Sequence, residues 1–267
     1  MTEKTLFQGL IAIAAIVGLW FGLSQIDFMR LFSIDEKTSD MEQKLGDMFW
    51  ESINRTEDVI KNDSVTKPVD KIVTRLCNEN GINRGKLKVY VIEKDEMNAF
   101  AMPGNYLVIY SGLITECDNE SQLAGVIGHE IAHLQKRHVM KKMVKEFGLS
   151  VLMSMAGGHG GKMTSQAVRA LSSSAYDRKL ESEADFTSID YMIKADVNPA
   201  PFADLMYKMA TEDNMPDAVY WISTHPESQA RAEAIVDYIK NKKFRQRAIL
   251  TAAEWQTLKK KTKFELL

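Results

Sequence analysis

The feature that most constrains this chain is a pair of histidines four residues apart, His129 and His133, with Glu130 between them. Residues four apart lie on one face of a helix, so both imidazoles can reach a single metal ion. Glu130 then lies beside that ion, where its carboxylate can take a proton from a metal-bound water. The H-E-x-x-H spacing therefore predicts a helix that carries two metal ligands and a general base.

The residues around this motif favour a helix. Apolar positions recur at spacings of three and four residues: Leu123, Val126, Ile127, Ile131 and Leu134. The polar residues 118–121 before them offer capping side chains and acidic charge for a first turn. On the motif alone, an ordinary amphipathic helix with a few polar residues remains the alternative.

A catalytic zinc site needs a third protein ligand. The metzincin pattern would place a Gly and a His where this chain has Lys136 and Val139, which excludes that class. His138 comes one residue too early and, on a continuous helix, would lie about 140° around the axis from His133. We therefore expect His138 to be structural or exposed rather than a ligand.

An acidic pair downstream offers a better third ligand. Residues from about 167 to 194 have helical spacing of apolar positions, and Glu181 and Asp185 share one face of that helix. Glu181 is the candidate zinc ligand, and Asp185 is the candidate acceptor for the free ring N–H of a ligand histidine. A solvated acidic helix face is the alternative for this pair taken alone.

Four motifs in this order resemble a known family. The histidine motif and the stretch from Glu181 to Asp185 are similar to the H-E-x-x-H and E-x-x-A-D signatures of the gluzincin metallopeptidases. That family includes HtpX, BepA, the mitochondrial Oma-type proteases and the CAAX prenyl proteases. Residues 97–104 are similar to its N-A-F-A-x-P-G segment, and residues 223–231 to its T-H-P-x-x-x-x-R segment.

The resemblance implies a fold and a cofactor. The fold would be α+β and mostly helical, a zincin-like domain with a small mixed β-sheet whose edge strand lines the active-site cleft. The cofactor would be one Zn²⁺ per chain, held by three ligands: His129, His133 and Glu181. Glu130 would be the catalytic base. His225 would face the zinc, either to stabilise the oxyanion or as an inhibitory fourth ligand, and Arg231 would support its loop.

The resemblance also implies a substrate-binding strand. Asn98, Ala99, Phe100 and Ala101 would form an edge strand that pairs with the backbone of an extended peptide. An ordinary sheet strand is the alternative, and the two are compatible. Asn105 stands where the family commonly has a second Gly, but Asn also tolerates positive φ, so we expect the turn to survive.

The N-terminal segment predicts contact with a membrane. Residues 6–26 form an almost unbroken apolar run of about 20 residues, the length that spans a bilayer. We interpret this run as an uncleaved, single-pass anchor; a cleaved signal peptide and a buried helix are the alternatives. Lys4 before the run favours an N terminus in the cytoplasm and a periplasmic or extracytoplasmic catalytic domain.

We therefore expect four segments along the chain. These are a membrane anchor (1–27), a helical packing segment (28–66), a zinc metallopeptidase domain (67–240) and a basic, solvated tail (241–267). Within the domain, Pro68 is predicted to open a helix that ends at Asn80, and strands are predicted at 86–92 and 99–110. The glycines of 157–161 indicate a mobile loop with an exposed His159.

The predicted function is zinc-dependent hydrolysis of peptide bonds in unfolded or membrane-associated proteins. The alternative is a membrane-tethered, chaperone-like binding module whose zinc is structural or whose activity is latent. The pattern is that of a membrane-anchored bacterial member without tetratricopeptide repeats, since no such repeat is found. The net charge of −2 argues against nucleic acid as a general partner.

Overall fold

The computed structural model of the chain describes residue 18 and residues 34–211, 218–226 and 228–264. The chain divides into two compact units, residues 1–41 and residues 42–267, and the candidate functional residues all belong to the second. Apart from Gly18, the predicted membrane segment lies outside the described residues. No helix within the described ranges combines the length and the apolar character needed to cross a bilayer. The segment boundaries after residues 27, 66 and 240 stay predictions.

Helices make up most of the described chain. In chain order they are α1 (Ile34–Asn54), α2 (Asp63–Glu79), α3 (Ser111–Glu116), α4 (Glu120–Gln135), α5 (His138–Phe147), α6 (Leu149–Ser154), α7 (Gly161–Ser173), α8 (Arg178–Lys194), α9 (Ala200–Thr211), α10 (Ala218–Thr224), α11 (Ser228–Ile239) and α12 (Ala252–Phe264). Between α2 and α3 lie the strands β1 (Lys88–Ile92), β2 (Ala99–Met102) and β3 (Tyr106–Tyr110). The predicted mostly helical α+β class with a small sheet is confirmed.

The sheet is mixed, with β3 in the centre. β1 runs parallel to β3 and β2 antiparallel to it, so β2 lies at one edge. β2 and β3 are joined by a tight turn at Gly104 (φ 72°) and Asn105 (φ 61°). Met102 pairs with Tyr106, so the turn has three residues, of which Gly104 and Asn105 take positive φ. Asn is one of the few non-glycine residues that adopt this conformation readily. The expectation that Asn105 preserves the turn is confirmed.

Helix α4 forms the centre of the core. Its residues from Ser121 to His133 are buried, and it contacts β2, α2, α8 and α9. The side chain of Asn119 caps its first turn by accepting hydrogen bonds from the backbone N–H groups of Ser121 and Gln122, both at 3.1 Å. The predicted helix and its cap are therefore confirmed, and the helix is far more buried than an amphipathic stripe requires.

Two glycines on α4 permit this burial. A Cβ at Gly125 would lie 2.3 Å from Cγ of Phe202 on α9, and a Cβ at Gly128 would lie 2.6 Å from Oγ of Ser188 on α8. The Ser188 hydroxyl donates a hydrogen bond to the carbonyl of Gly125 at 2.8 Å. The absence of side chains at these two positions lets α8 and α9 approach the helix that carries the histidines.

Helix α2 begins earlier than predicted. It starts at Asp63, and Pro68 lies inside it rather than at its first turn. The side chain of Asn62 caps the helix by accepting a hydrogen bond from the backbone N–H of Ser64 at 2.9 Å. Pro68 cannot donate its own helical hydrogen bond, but the cap and the buried apolar face of α2 outweigh this single loss. The predicted end at Asn80 is correct to within a residue.

The expectation of a solvated basic tail is wrong for residues 252–264. These residues form α12, which packs against α2 and α3. Leu258 is fully buried, Trp255 is nearly so, and the Lys259 ammonium donates a hydrogen bond to the carbonyl of Cys117 at 2.6 Å. Because the segment contains many lysines, its narrow apolar face, which covers the core, could not be recognised from the sequence.

The glycine-rich stretch adopts a different conformation from the one predicted. Met155–His159 is a π-helical turn that is interrupted at Gly158, where φ is 94°, and α7 follows after Gly160. His159 is exposed, as expected. The glycines therefore redirect a helical path between α6 and α7 rather than forming an extended loop.

Replacing Gly125 tests whether the close helix approach stabilises the fold. We expect Gly125→Ala to lower the free energy of unfolding by about 1–3 kcal/mol, because overpacking against Phe202 exceeds the roughly 1 kcal/mol by which a helix favours Ala over Gly. Gly157→Ala is the matched control, since a Cβ there meets only Nδ1 of His159, at 3.7 Å. Chemical denaturation of both variants measures the difference, and equal stabilities would contradict the role of Gly125.

Candidate active site

Two packed helices bring the predicted metal ligands together. Helix α4 presents His129 and His133 one turn apart, and α8, which packs against α4, presents Glu181 from its first turn. His225 joins them from the residue that follows α10. One ligand atom from each of these four residues lies within 4.8 Å of the others, and all four side chains are buried.

The two histidines of α4 point the same ring atom inward. Nε2 of His133 lies 2.9 Å from Nε2 of His129 and 3.3 Å from Oε1 of Glu181. Nε2 of His129 lies 3.6 Å from Oε2 of Glu181. The Nδ1 atoms of both rings therefore face away from the cluster and contact other side chains.

His225 enters the cluster from the opposite side. Its Nδ1 lies 3.2 Å from Nε2 of His129 and 3.0 Å from Oε2 of Glu181. Its Nε2 lies 3.4 Å from Oε1 of Glu130. The indole of Trp221 stacks on the imidazole with ring centroids 4.0 Å apart, and the backbone N–H of His225 donates to the carbonyl of Trp221 at 2.8 Å. These contacts hold Nδ1 beside the other three ligand atoms.

A buried ion-pair network lies behind the ligands. Oδ1 of Asp185 lies 2.9 Å from Nδ1 of His129. Arg231, on α11, donates two hydrogen bonds to the Asp185 carboxylate, both at 2.7 Å, and a third nitrogen of its guanidinium lies 2.5 Å from Oε2 of Glu181. The structure therefore brings Asp185 to the ring nitrogen of a candidate ligand, and Arg231 connects both acidic residues of α8.

This network keeps both carboxyl groups ionised. Burial alone would raise the pKa of Glu181, but His225, His133 and Arg231 hold that pKa well below its usual value. The pKa of Asp185 is also lowered, because the Arg231 charge outweighs burial. Ionised carboxylates are the form that binds metals and accepts hydrogen bonds from ligand histidines.

The histidines remain neutral for the same structural reason. Burial lowers the pKa of His129, and it lowers the pKa of His133 and of His225 to about 4. Attraction from Glu181 acts in the opposite direction at all three rings without reversing the effect of burial. A neutral imidazole has a free lone pair, which is the form that binds a metal.

Glu130 differs from the other buried acidic residues. Neither of its carboxylate oxygens makes a hydrogen bond of normal geometry within the described residues. Nε2 of His225 lies 3.4 Å from Oε1, and the backbone of Ala101 is also near the carboxylate. Burial and the negative charge of Glu181 raise its pKa well above the usual value. Unpaired buried oxygens are costly, and a water or a substrate group beside the ligand cluster would satisfy them. A raised pKa also makes this carboxylate a stronger base.

The donor set fits a zinc ion. Two imidazoles and one carboxylate are a known ligand set of catalytic zinc, and a fourth position in such sites is kept for water or substrate. His129, His133 and Glu181 would supply the three ligands from two packed helices. Nδ1 of His225 lies at the place of a fourth donor.

His138 has a contact that its position in the sequence did not indicate. Its side chain is buried, with Nδ1 3.0 Å from Nδ1 of His133 and Nε2 3.2 Å from Oε2 of Glu183. The continuous helix assumed from the sequence ends at Gln135, and Arg137 adopts a left-handed conformation (φ 58°) before α5 begins. This change of direction returns His138 to the site, although it is not among the four clustered ligands.

Tyr176 is a second residue that the sequence reasoning missed. Its ring stacks on His133 with centroids 4.0 Å apart and an interplanar angle of 20°. The Lys142 ammonium lies 4.3 Å from the centroid of the same ring. The hydroxyl is buried without a hydrogen-bond partner in the described part of the chain. A tyrosine five residues before Glu181 carries no signal of its own; only the loop between α7 and α8 brings it over the site.

The predicted substrate strand lies beside Glu130, the candidate catalytic base. Ala99–Met102 forms edge strand β2, which contacts α4, and the backbone of Ala101 reaches the carboxylate of Glu130. Asn98 lies just before the strand, and its side-chain Nδ2 donates a hydrogen bond to the carbonyl of Ser172 at 3.4 Å. All four residues of β2 are buried, and α7 contacts the strand, so β2 is covered in this conformation.

The site and fold together define a class of protein. A buried helix carries H-E-x-x-H, a second helix contributes the glutamate ligand, and a mixed sheet lies alongside, which is the arrangement of gluzincin metallopeptidases. Residues 63–239 match Peptidase family M48, and the chain therefore belongs to that family of zinc-dependent metallopeptidases. The family resemblance inferred from the four sequence motifs is confirmed.

Individual relatives agree with this assignment. Metalloprotease LoiP of Escherichia coli strain K12 is 30% identical over 177 residues, covering 62% of this chain and 69% of LoiP. Mitochondrial metalloendopeptidase OMA1 of Schizosaccharomyces pombe is 28% identical over 175 residues, covering 64% and 52%. The beta-barrel assembly-enhancing protease of Yersinia pestis is 26% identical over 207 residues, covering 72% and 42%. The chain thus spans about half the length of the latter two relatives.

Removing the Arg231 charge tests the buried network. We expect Arg231→Met to lower the free energy of unfolding by about 3–5 kcal/mol, because it leaves the carboxylates of Glu181 and Asp185 buried without their partner. The measurement is chemical denaturation in the presence of a chelator, which removes any contribution from metal. The control is Arg55→Met, which breaks an exposed pair with Glu51 and should cost less than about 1 kcal/mol. Equal losses for the two variants would contradict the structural role of Arg231.

Proposed function

We propose that this chain is a zinc-dependent endopeptidase that hydrolyses peptide bonds in unfolded or membrane-associated proteins. One observation carries the proposal: the neutral imidazoles of His129 and His133 meet the ionised Glu181 carboxylate, and the unpaired, buried Glu130 carboxylate lies beside them. A site that serves only to hold the fold together would not require an unpaired base. Membership of a peptidase family supports a polypeptide as the substrate.

The catalytic step depends on Glu130. When bound by His129, His133 and Glu181, zinc would supply a Lewis acid that activates water and polarises the scissile carbonyl. Glu130 accepts the proton of the attacking water and passes it to the nitrogen of the leaving amine. Its raised pKa favours the first half of this transfer, because a carboxylate of higher pKa is a stronger base.

Substrate binding is proposed for the edge strand β2. An extended peptide that pairs with the free edge of Ala99–Met102 would lie beside Glu130, because the Ala101 backbone already reaches that carboxylate. Main-chain pairing requires little of the substrate sequence, which suits a peptidase for unfolded proteins. Since α7 covers β2 in this conformation, binding would require α7 and the preceding π-helical turn to move away.

His225 is proposed to restrain the enzyme in the present conformation. Its Nδ1 lies at the position of a fourth ligand, 3.2 Å from His129 and 3.0 Å from Glu181. A closed set of four donors leaves no position for water or substrate, which is typical of a structural zinc site. Displacement of the His225 loop would open that position, and the ring could then act on the oxyanion instead.

The same closed donor set supports a second candidate function. The chain would then be a membrane-tethered, chaperone-like module that binds unfolded polypeptide and whose zinc is structural or whose activity is latent.

In both cases we propose attachment to a membrane through residues 6–26, with the catalytic unit on the periplasmic or extracytoplasmic side. The relative named beta-barrel assembly-enhancing protease favours a membrane-associated protein as the substrate.

Glu130→Gln separates the peptidase from the binding module. We expect the full chain with zinc to cleave unfolded casein, and Glu130→Gln to lose roughly 10²–10⁴-fold in turnover while it retains zinc and still captures casein. Glu51→Gln, which changes an exposed glutamate, should cleave like the wild type. Full activity in Glu130→Gln would contradict the assignment of Glu130 as the catalytic base.

His225→Ala tests the restraining role. We expect this variant to keep its zinc, since three ligands remain, and to cleave casein faster than the wild type because the fourth position is open. His159→Ala is the control, because His159 is an exposed histidine outside the site. A fall in turnover would instead assign His225 to the oxyanion. If neither the wild type nor His225→Ala cleaves casein, and both still bind it, the binding module would be favoured.

A further inference from the structure

The turn after α4 places a third histidine of this region against a candidate zinc ligand. α4 ends at Gln135 with Lys136 as its C-cap, Arg137 takes φ 58° and ψ 28°, and α5 then begins at His138. The His138 ring is buried and lies edge-on to His133, with centroids 5.0 Å apart. Left-handed backbone is uncommon for a residue such as Arg, so the conformation is maintained by the surrounding structure.

Of the two facing ring nitrogens of His133 and His138, one must carry a proton and the other must be deprotonated. Nδ1 of His133 and Nδ1 of His138 are 3.0 Å apart, which is a hydrogen-bond distance. Nε2 of His133 faces His129 and Glu181, so this is the atom available to the metal. A neutral histidine that binds metal through Nε2 carries its proton on Nδ1. His133 is therefore the donor, and His138 must be the acceptor.

The next contact supports the same distribution of protons. If Nδ1 of His138 accepts, its own proton lies on Nε2, which is 3.2 Å from Oε2 of Glu183. The other oxygen of that carboxylate, Oε1, lies 3.2 Å from the ammonium of Lys136. Each donor in the series from His133 outward thus meets an acceptor, and the series ends at a surface ion pair.

We propose that His138 is a positioning residue for the zinc ligand His133, acting as a neutral imidazole that accepts the His133 Nδ1–H while Glu183 fixes its tautomer. This inference rests on the proposed zinc site. It gives His133 the counterpart of the contact that Asp185 makes with His129. A ligand ring held at its far nitrogen keeps its orientation and its tautomer, and loss of such a partner typically costs 10–100-fold in metal affinity.

The two ligands are then held by different acceptors. His129 faces a carboxylate that is itself bound by Arg231, whereas His133 faces an uncharged ring. A carboxylate draws the ring proton more strongly than a neutral imidazole does, because it bears a full negative charge. His138 therefore orients His133 without adding charge to the buried site.

Zinc affinity of the full chain tests this role. Competition with a chromophoric chelator should show affinity 10–100-fold weaker for His138→Leu than for the wild type. His138→Asn should recover most of the affinity, because its side-chain oxygen occupies the place of Nδ1 and can accept the same proton. His159→Leu, the same change at an exposed histidine, should bind zinc like the wild type. Unchanged affinity in His138→Leu would overturn the proposal.

A spectroscopic measurement keeps the test independent of any variant that fails to fold. Nitrogen-15 NMR of the histidine rings in the zinc-loaded wild type should show His138 protonated at Nε2 and His133 protonated at Nδ1. The proposal is wrong if His138 carries its proton on Nδ1. If the wild type binds no zinc at all, the proposed function fails as well; zinc binding that is insensitive to His138 removes only the positioning role.

Discussion

The active site depends on one buried guanidinium. Glu181 and Asp185 lie one turn apart on α8, and burying two carboxylates side by side is unfavourable unless a positive charge compensates. Arg231 contacts both, and it is only 8% exposed. With both carboxylates ionised, Glu181 joins the cluster of candidate metal ligands and Asp185 contacts the ring of His129. Three separate helices, α4, α8 and α11, are thereby connected at a single point.

Close helix packing is the second requirement. A glutamate on one helix can join two histidines on another only if the helices approach closely, and the spacing between helix axes is set by the side chains at the crossing. Gly125 and Gly128 remove side chains from α4 where α8 and α9 cross it, and Ser188 fills the remaining space with a hydrogen bond to the α4 backbone. Helix α4 therefore carries the candidate metal-binding histidines and also forms close helix contacts in the core. This double role explains why it is buried on nearly all sides.

Much of the site could be predicted from the sequence because its residues follow helical periodicity. His129, Glu130 and His133 share a turn, and the acidic pair on α8 repeats the four-residue spacing, so both faces could be inferred without knowing how the helices meet. The turn at Asn105 was also predictable, because positive φ depends on the residue type itself. His225 could be inferred only through the family resemblance, since no local pattern relates it to His129, 96 residues earlier.

The errors arose where tertiary contacts override local patterns. The chemistry of Pro68 predicts a helix start, yet the cap at Asn62 and the core decide where α2 begins. The lysines of residues 252–264 suggested solvent, but Trp255 and Leu258 find a buried surface that the sequence does not reveal. His138 was placed on the far side of a helix that in fact ends three residues earlier.

The sequence by itself therefore determined the class of protein: the type and spacing of the candidate ligands and base are encoded within single turns of helix, where geometry is the same in every protein. Only the tertiary structure decided what surrounds them. Whether His225 joins the cluster, whether His138 and Tyr176 contact His133, and whether β2 is covered all depend on the mutual positions of separate elements. Those positions result from many weak packing contacts summed over the core, and no local stretch of sequence specifies them.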